Sequence, residues 1–173
     1  MSGRSARAPV LGAGPRAYPD SGQRQGTYLH PGQLVVSASP SAITTVLGSC
    51  VAVCLFDPVA RVGGINHFLL PHHVERERSP RFGSVAVPML IEEVCRQGAS
   101  RASLLAKVFG GGSILAAFRR EGQLGEANVA LALRLLDEAS IPVLEQDVGG
   151  RAGRKVIFHT DDGTAWVRSL EGP

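Results

Sequence analysis

The stretch that decides the fold is Ala42-Ile43-Thr44-Thr45-Val46-Leu47-Gly48-Ser49-Cys50-Val51-Ala52-Val53-Cys54-Leu55-Phe56-Asp57-Pro58. After a short connection it continues as Gly63-Gly64-Ile65-Asn66-His67-Phe68-Leu69-Leu70-Pro71. The β-branched run Ile43 to Val46 predicts a strand over 42–47, and Gly48-Ser49 reads as a turn. Cys50 to Phe56 is almost continuously apolar, as a strand covered on both faces requires. Asp57-Pro58 and Gly63-Gly64 bracket a tight connection, so Ile65 to Leu70 is expected to pair antiparallel with it and to stop at Pro71. That arrangement puts a cysteine at the start of one strand and a histidine near the end of its neighbour. A thiol and an imidazole come within hydrogen-bond reach, the pairing by which a cysteine hydrolase activates its nucleophile.

Outward from this core the signals are simpler. Tyr28 to Val36 offers a first strand interrupted by Pro31-Gly32. The charged segment from His72 to Arg81 reads as a loop. Ser84 to Gln97 reads as a helix with Ser84 as N-cap, Pro88 near its first turn and Gly98 just past its end. Ala102 to Phe109 is a further strand, closed by Gly110-Gly111-Gly112. Leu124 to Ala139 carries apolar residues at Leu124, Val129, Leu133 and Leu136 and reads as the clearest helix. Pro142 to Gln146, Lys155 to His159 and Ala165 to Arg168 close the chain as strands separated by glycine turns. Strands, helix, strand, helix, strands is the order of a mixed α+β protein.

The 173 residues suffice for one domain with its own core. Residues 1–26 are rich in Gly, Ser, Pro, Ala and Arg and are expected to form a disordered basic tail, with a single domain over 27–173. The net charge of +3 argues little for nucleic acid. Arg4, Arg7, Arg16 and Arg24 against Asp20 account for all of it, leaving the body balanced. No apolar run is long enough to cross a bilayer and no secretory signal is evident, so membrane insertion is not expected and the cytoplasm is the default location. The odd set Cys50, Cys54 and Cys95 makes no disulfide framework. A zinc site would need Cys50 and Cys54 with His67, His72 or His73, but the two cysteines fall on a strand rather than a knuckle. No metal or other cofactor is expected.

The chemistry needs a thiolate, because the thiol itself is a poor nucleophile. His67 is placed to take the Cys50 proton and later return it to a leaving group. Gly48 lets the backbone approach a substrate, and the N–H groups around Ser49 and Cys50 are candidates for stabilising an oxyanion. Thr44 is the nearest upstream group that could accept from the other ring nitrogen. Cys54 and Cys95 sit among apolar residues and read as packing. Gly110 to Gly112 lacks the Gly-Lys-Ser/Thr ending of a P-loop and reads as a turn at the rim of a cleft.

Thr44 through Leu55, Gly64-Ile65-Asn66-His67-Phe68-Leu69-Leu70-Pro71, Arg81-Phe82-Gly83, Lys107-Val108-Phe109-Gly110-Gly111, Asp147-Val148-Gly149-Gly150 and Gly153-Arg154-Lys155-Val156 together resemble the CheD family of chemoreceptor glutamine deamidases. The resemblance spans about Tyr28 to Arg168. It implies Cys50 as nucleophile, His67 as base and Thr44 as third member of a triad. It implies hydrolysis of glutamine side-chain amides on methyl-accepting chemotaxis receptors, in some members also of receptor methyl esters. It also implies a fold similar to toxin deamidases of the cytotoxic necrotizing factor type: largely antiparallel sheets layered as a β-sandwich and flanked by helices. The implied partners are receptor cytoplasmic helices and a CheC-type phosphatase.

The chain departs from that pattern at Gly112-Ser113, at Ala127 where an arginine is usual, and at Phe82 where tyrosine is common. Asn66, Phe109, Gly110 and Gly111 are the candidates for the substrate rim. The alternative is a binding module that docks a phosphatase or receptor with little catalysis. It would not require a nucleophile beside a base.

Overall fold

A computed structural model describes residues 23–73, 76–113 and 119–170, with the side chains of 119–122 excepted. Strands β1 (Gln25–Tyr28), β2 (Leu34–Ser37), β3 (Ser41–Leu47), β4 (Val51–Asp57) and β5 (Val62–Asn66) come first. Helix α1 (Gly83–Arg96), β6 (Leu105–Gly110), α2 (Arg119–Glu138), β7 (Val143–Val148), β8 (Gly153–His159) and β9 (Ala165–Leu170) follow. The Gly48-Ser49 turn sends its two flanking strands into different sheets. One has four strands in the order β1-β3-β8-β9, the other five in the order β2-β5-β4-β6-β7. The β1–β3 and β6–β7 pairs are parallel and the rest antiparallel.

The uninterrupted apolar run of β4 has a direct cause. Val51, Val53 and Leu55 pack with Ala86, Val87, Leu90 and Val94 of α1 and with Ala132 and Leu136 of α2. Ala52, Cys54 and Phe56 face the other way, into a second core with Ile43, Leu47, Phe109, Val156 and Phe158. Alternate side chains of one strand thus serve two cores, and each large one contributes about 1.5–3 kcal/mol on burial. The layers run helices, five-stranded sheet, four-stranded sheet, an α+β sandwich as expected. The two helices pack on the five-stranded sheet. No helix among the described residues is long and apolar enough to cross a membrane.

Several boundaries differ from expectation. The segment around Pro31-Gly32 separates two strands of different sheets instead of interrupting one. Strand β5 stops at Asn66, and beyond it Phe68 continues the same register only as an isolated bridge to Val51. Helix α1 starts after Phe82 without a side-chain cap. Ser84 is inside it, its hydroxyl 3.0 Å from His73 Nδ1. Gly98 does end it, at φ +114. Helix α2 begins at Arg119, ahead of Leu124. The expected tail is also shorter: Gln25 and Gly26 pair with Ser41 and Ala42. Beside them Arg24 forks onto Asp161 at 2.7 and 2.9 Å. Residues 1–22, the rest of that tail, lie outside the described residues, as do residues 74 and 75 of the charged loop.

Candidate active site

Strand pairing fixes where Cys50 and His67 stand. Val51 and Phe68 exchange both backbone hydrogen bonds, at 3.1 and 3.0 Å. Their side chains point to the helix side. Cys50 and His67 therefore share the opposite face, diagonal to one another across this bridge and directed between the sheets. The backbone of His67 is held on its other edge as well: its N–H donates to Gln33 O at 3.0 Å and its C=O accepts from Gly32 N–H at 2.7 Å.

The hydroxyl that meets His67 is that of Thr45, not that of Thr44. Thr45 Oγ1 lies 2.8 Å from His67 Nδ1 and 2.8 Å from Leu29 O. Thr45 follows Ile43 and precedes Leu47 on the buried side of β3, whereas Thr44 is on the other side and meets Leu29 only through its carbonyl. The pair of distances settles the tautomer. A carbonyl only accepts, so the Thr45 proton points to Leu29 O, and Oγ1 accepts from Nδ1–H. Nε2 is left as the basic nitrogen. Among the described residues it has no hydrogen-bond partner, Cys50 Sγ included. Cys50 and His67 thus share a face without the direct hydrogen bond expected between them.

Burial disfavours the charged form of both groups. His67 is 1 % exposed, and burial pushes its imidazole down to about 4. Burial pushes the Cys50 thiol up, with its own backbone N–H pulling the other way. No carboxylate offsets the desolvation of the imidazole, since its partner is a neutral hydroxyl. Such a pair suits general-base catalysis, in which the proton moves as the nucleophile attacks, more than a resting thiolate–imidazolium pair. Cys54 is fully buried and its thiol is driven up much further.

Asn66, Phe109, Gly110 and Gly111, expected at a substrate rim, are all buried. Asn66 faces the helix side, where its Oδ1 accepts from Val53 N–H at 2.9 Å. Phe109 is in the core between the sheets. Gly110 has φ +108, and a Cβ there would stand 2.2 Å from Cys50 O, so the glycine serves the approach of the Cys50 backbone. Gly111 N–H donates to Cys50 O and Gly112 N–H to Gly48 O, both at 2.8 Å. These residues form the wall behind Cys50. Arg154 locks that wall through Asp147 Oδ1 at 2.8 Å, Gly149 O at 2.7 Å and Gly110 O at 3.4 Å. In the preceding turn, the Ser49 and Cys50 N–H groups donate to no carbonyl among the described residues. Thr45 and Arg154 are the site residues that reading the sequence passed over. Among the described residues no cluster of His, Cys, Asp and Glu has the makings of a metal site.

Residues 69–169 match the family model described as CheD chemotactic sensory transduction. The probable chemoreceptor glutamine deamidase CheD 1 of Anaeromyxobacter dehalogenans is 70% identical over 152 residues, 88% of this chain and 89% of its own. The probable chemoreceptor glutamine deamidase CheD of Trichlorobacter lovleyi is 46% identical, over 79% of this chain and 85% of its own. That of Sulfurimonas denitrificans is 39% identical, over 83% of this chain and 94% of its own.

Proposed function

The chain belongs to the CheD family, and on that premise we propose that it deamidates glutamine side chains of chemoreceptors with Cys50 as nucleophile and His67 as general base. The observation that carries the reading is the co-facial Cys50–His67 pair with Nδ1 tied to Thr45 and Nε2 free. The alternative of a docking module gives no reason for a buried imidazole with its basic nitrogen open.

In the first half-reaction Sγ attacks the side-chain carbonyl carbon while Nε2 takes the thiol proton. The oxyanion is stabilised by the Ser49 and Cys50 N–H groups at the Gly48 turn. The C–N bond breaks as the imidazolium gives its proton to the leaving nitrogen. Ammonia departs and a thioester remains. In the second half-reaction Nε2 deprotonates a water that attacks the thioester carbon. Sγ leaves as the C–S bond breaks, recovers the proton from His67, and the glutamate product is released. Thr45 keeps the ring in one tautomer throughout.

The substrate segments are receptor cytoplasmic helices, which places the activity on the cytoplasmic side. One domain, starting at Arg24, carries it. Two narrower readings rest on the same site: hydrolysis of receptor methyl esters, tested by methanol release, and docking of a CheC-type phosphatase, tested by co-purification with and without receptor.

The deciding experiment incubates the protein with receptor cytoplasmic fragments and reads each glutamine by mass spectrometry. Amide-to-acid conversion is expected with the wild type and not with Cys50→Ala or His67→Gln. Wild-type turnover in either folded variant overturns the proposal.

A further inference from the structure

Helix α2 grips the surroundings of Cys50 at three points. Asn128 is fully buried, on the helix face shared with Leu131 and Ala132. Its Nδ2 donates to Ser49 O at 3.1 Å and to Leu69 O at 2.9 Å. Ser49 precedes the nucleophile. Leu69 stands opposite Cys50, two residues beyond the base, in the register set by Val51 and Phe68. The amide orientation is fixed by chemistry: both neighbours are carbonyls, so the NH2 group faces them, and a flipped amide would set Oδ1 against two acceptors. Less than a turn before it, Gly125 lies against Gly111, so close that a Cβ would come within 2.4 Å of Gly111 O. Gly111 in turn donates to Cys50 O.

Packing alone does not call for an amide here. Asn128 Oδ1 has no partner among the described residues, and a buried unpaired acceptor costs stability that a leucine at this position would not. What the amide supplies is a pair of donors spanning the two segments that hold the thiol and the imidazole.

We propose that Asn128 is a positioning residue for the deamidation, its two N–H groups setting the separation of the Cys50 and His67 segments so that the proton can pass between them. The inference rests on the Cys50–His67 pairing proposed above. Asn128→Leu keeps the branched outline of the side chain and removes both donors. Its kcat on receptor fragments is expected to fall by up to about a hundredfold with KM nearly unchanged, the signature of misplaced reacting groups.

The decisive measurement needs no receptor. The rate of iodoacetamide labelling at Cys50 is compared in wild type, His67→Gln, Asn128→Leu and the double variant. His67→Gln is expected to slow labelling in the wild type and to have no further effect beside Asn128→Leu. Equal slowing in both backgrounds overturns the inference and leaves the pairing intact. No slowing in the wild type overturns the pairing itself, and the inference with it. If Asn128→Leu lacks a cooperative melting transition, the same cycle run with Asn128→Ser decides by the same outcomes.

Discussion

The two ends of strand β4 treat buried polar groups in opposite ways. At the C-terminal end Asp57 is 2 % exposed. Its Oδ1 accepts from Val59 and Ala60 N–H at 2.8 and 3.1 Å, and its Oδ2 from Ser100 N–H at 2.7 Å. Burial alone would raise this carboxyl, but the three N–H donors outweigh it and hold it below its ordinary value. At the N-terminal end His67 Nε2 and Asn128 Oδ1 are buried and have no partner among the described residues. The end that only has to hold the fold is saturated. The end proposed to carry the chemistry keeps its lone pairs open, and the saturated contacts elsewhere offset what that costs.

The largest expected effect tests the open end. Cys50→Ala should cut turnover by on the order of a thousandfold or more, and His67→Gln by about 10²–10⁴-fold, while thermal unfolding of either variant moves little. The saturated end should respond the other way. Asp57→Ala leaves three N–H groups without their acceptor and should destabilise the fold by about 3 kcal/mol in denaturant titration, with turnover per folded molecule unchanged. Loss of turnover in folded Asp57→Ala would break the contrast.

A smaller effect sharpens the assignment of the hydroxyl. Thr45→Val, which removes the acceptor for Nδ1–H, should lower turnover about tenfold, a fraction of the general-base contribution. Thr44→Val should leave it unchanged. The reverse order would return the role to Thr44.

The pH dependence is subtler. The fold pushes His67 from 6.5 down to about 4, so the unfolded chain binds its proton first. The stability contributed by the neutral ring is complete above about 6.5 and is lost as pH falls from there toward 4. Asp57, also held low, acts in the same sense only below the ordinary carboxylate range. The melting temperature should therefore fall between pH 7 and 5 in the wild type and fall less in His67→Gln. The smallest effect belongs to residues 1–22. Their removal should leave turnover on receptor fragments intact, whereas a cut that also takes Arg24 should lower the melting temperature by leaving Asp161 with Arg61 alone.

What the sequence made legible follows from periodicity. The apolar run of β4 and its antiparallel partner were enough to set Cys50 and His67 on one face. Thr44 against Thr45 is a question of phase, and in a strand one residue of phase exchanges the faces. Ile43 and Leu47 mark the buried phase, but Val46, 41 % exposed, blurs the alternation. The change of sheet at Gly48-Ser49 has no local signal, because the same turn could join strands of one sheet. Phe109 to Gly111 looked like a rim because glycines permit close approach. The backbone that approaches is that of Cys50 rather than of a substrate. In α2 the large residues Leu124, Val129 and Leu133 suggested a face slightly rotated from the one that is buried. Gly125, Asn128 and Ala132 mark the tightest contact through their small size or polarity, to which a hydrophobic pattern is blind.

The pairing of β3 with β8 has a consequence for the order of assembly. Ala42 faces His159 and Leu47 faces Arg154, so the strand that carries Thr45, paired on its other edge with β1, gains its second neighbour only when most of the chain has been made. Such distant pairings form late in folding. A nascent chain ending before Gly153 already contains the hairpin with the thiol and the imidazole, yet the hydroxyl that meets the ring sits on a strand still missing one of its two neighbours. The sheet that carries Thr45 is complete only with the last strands, β8 and β9.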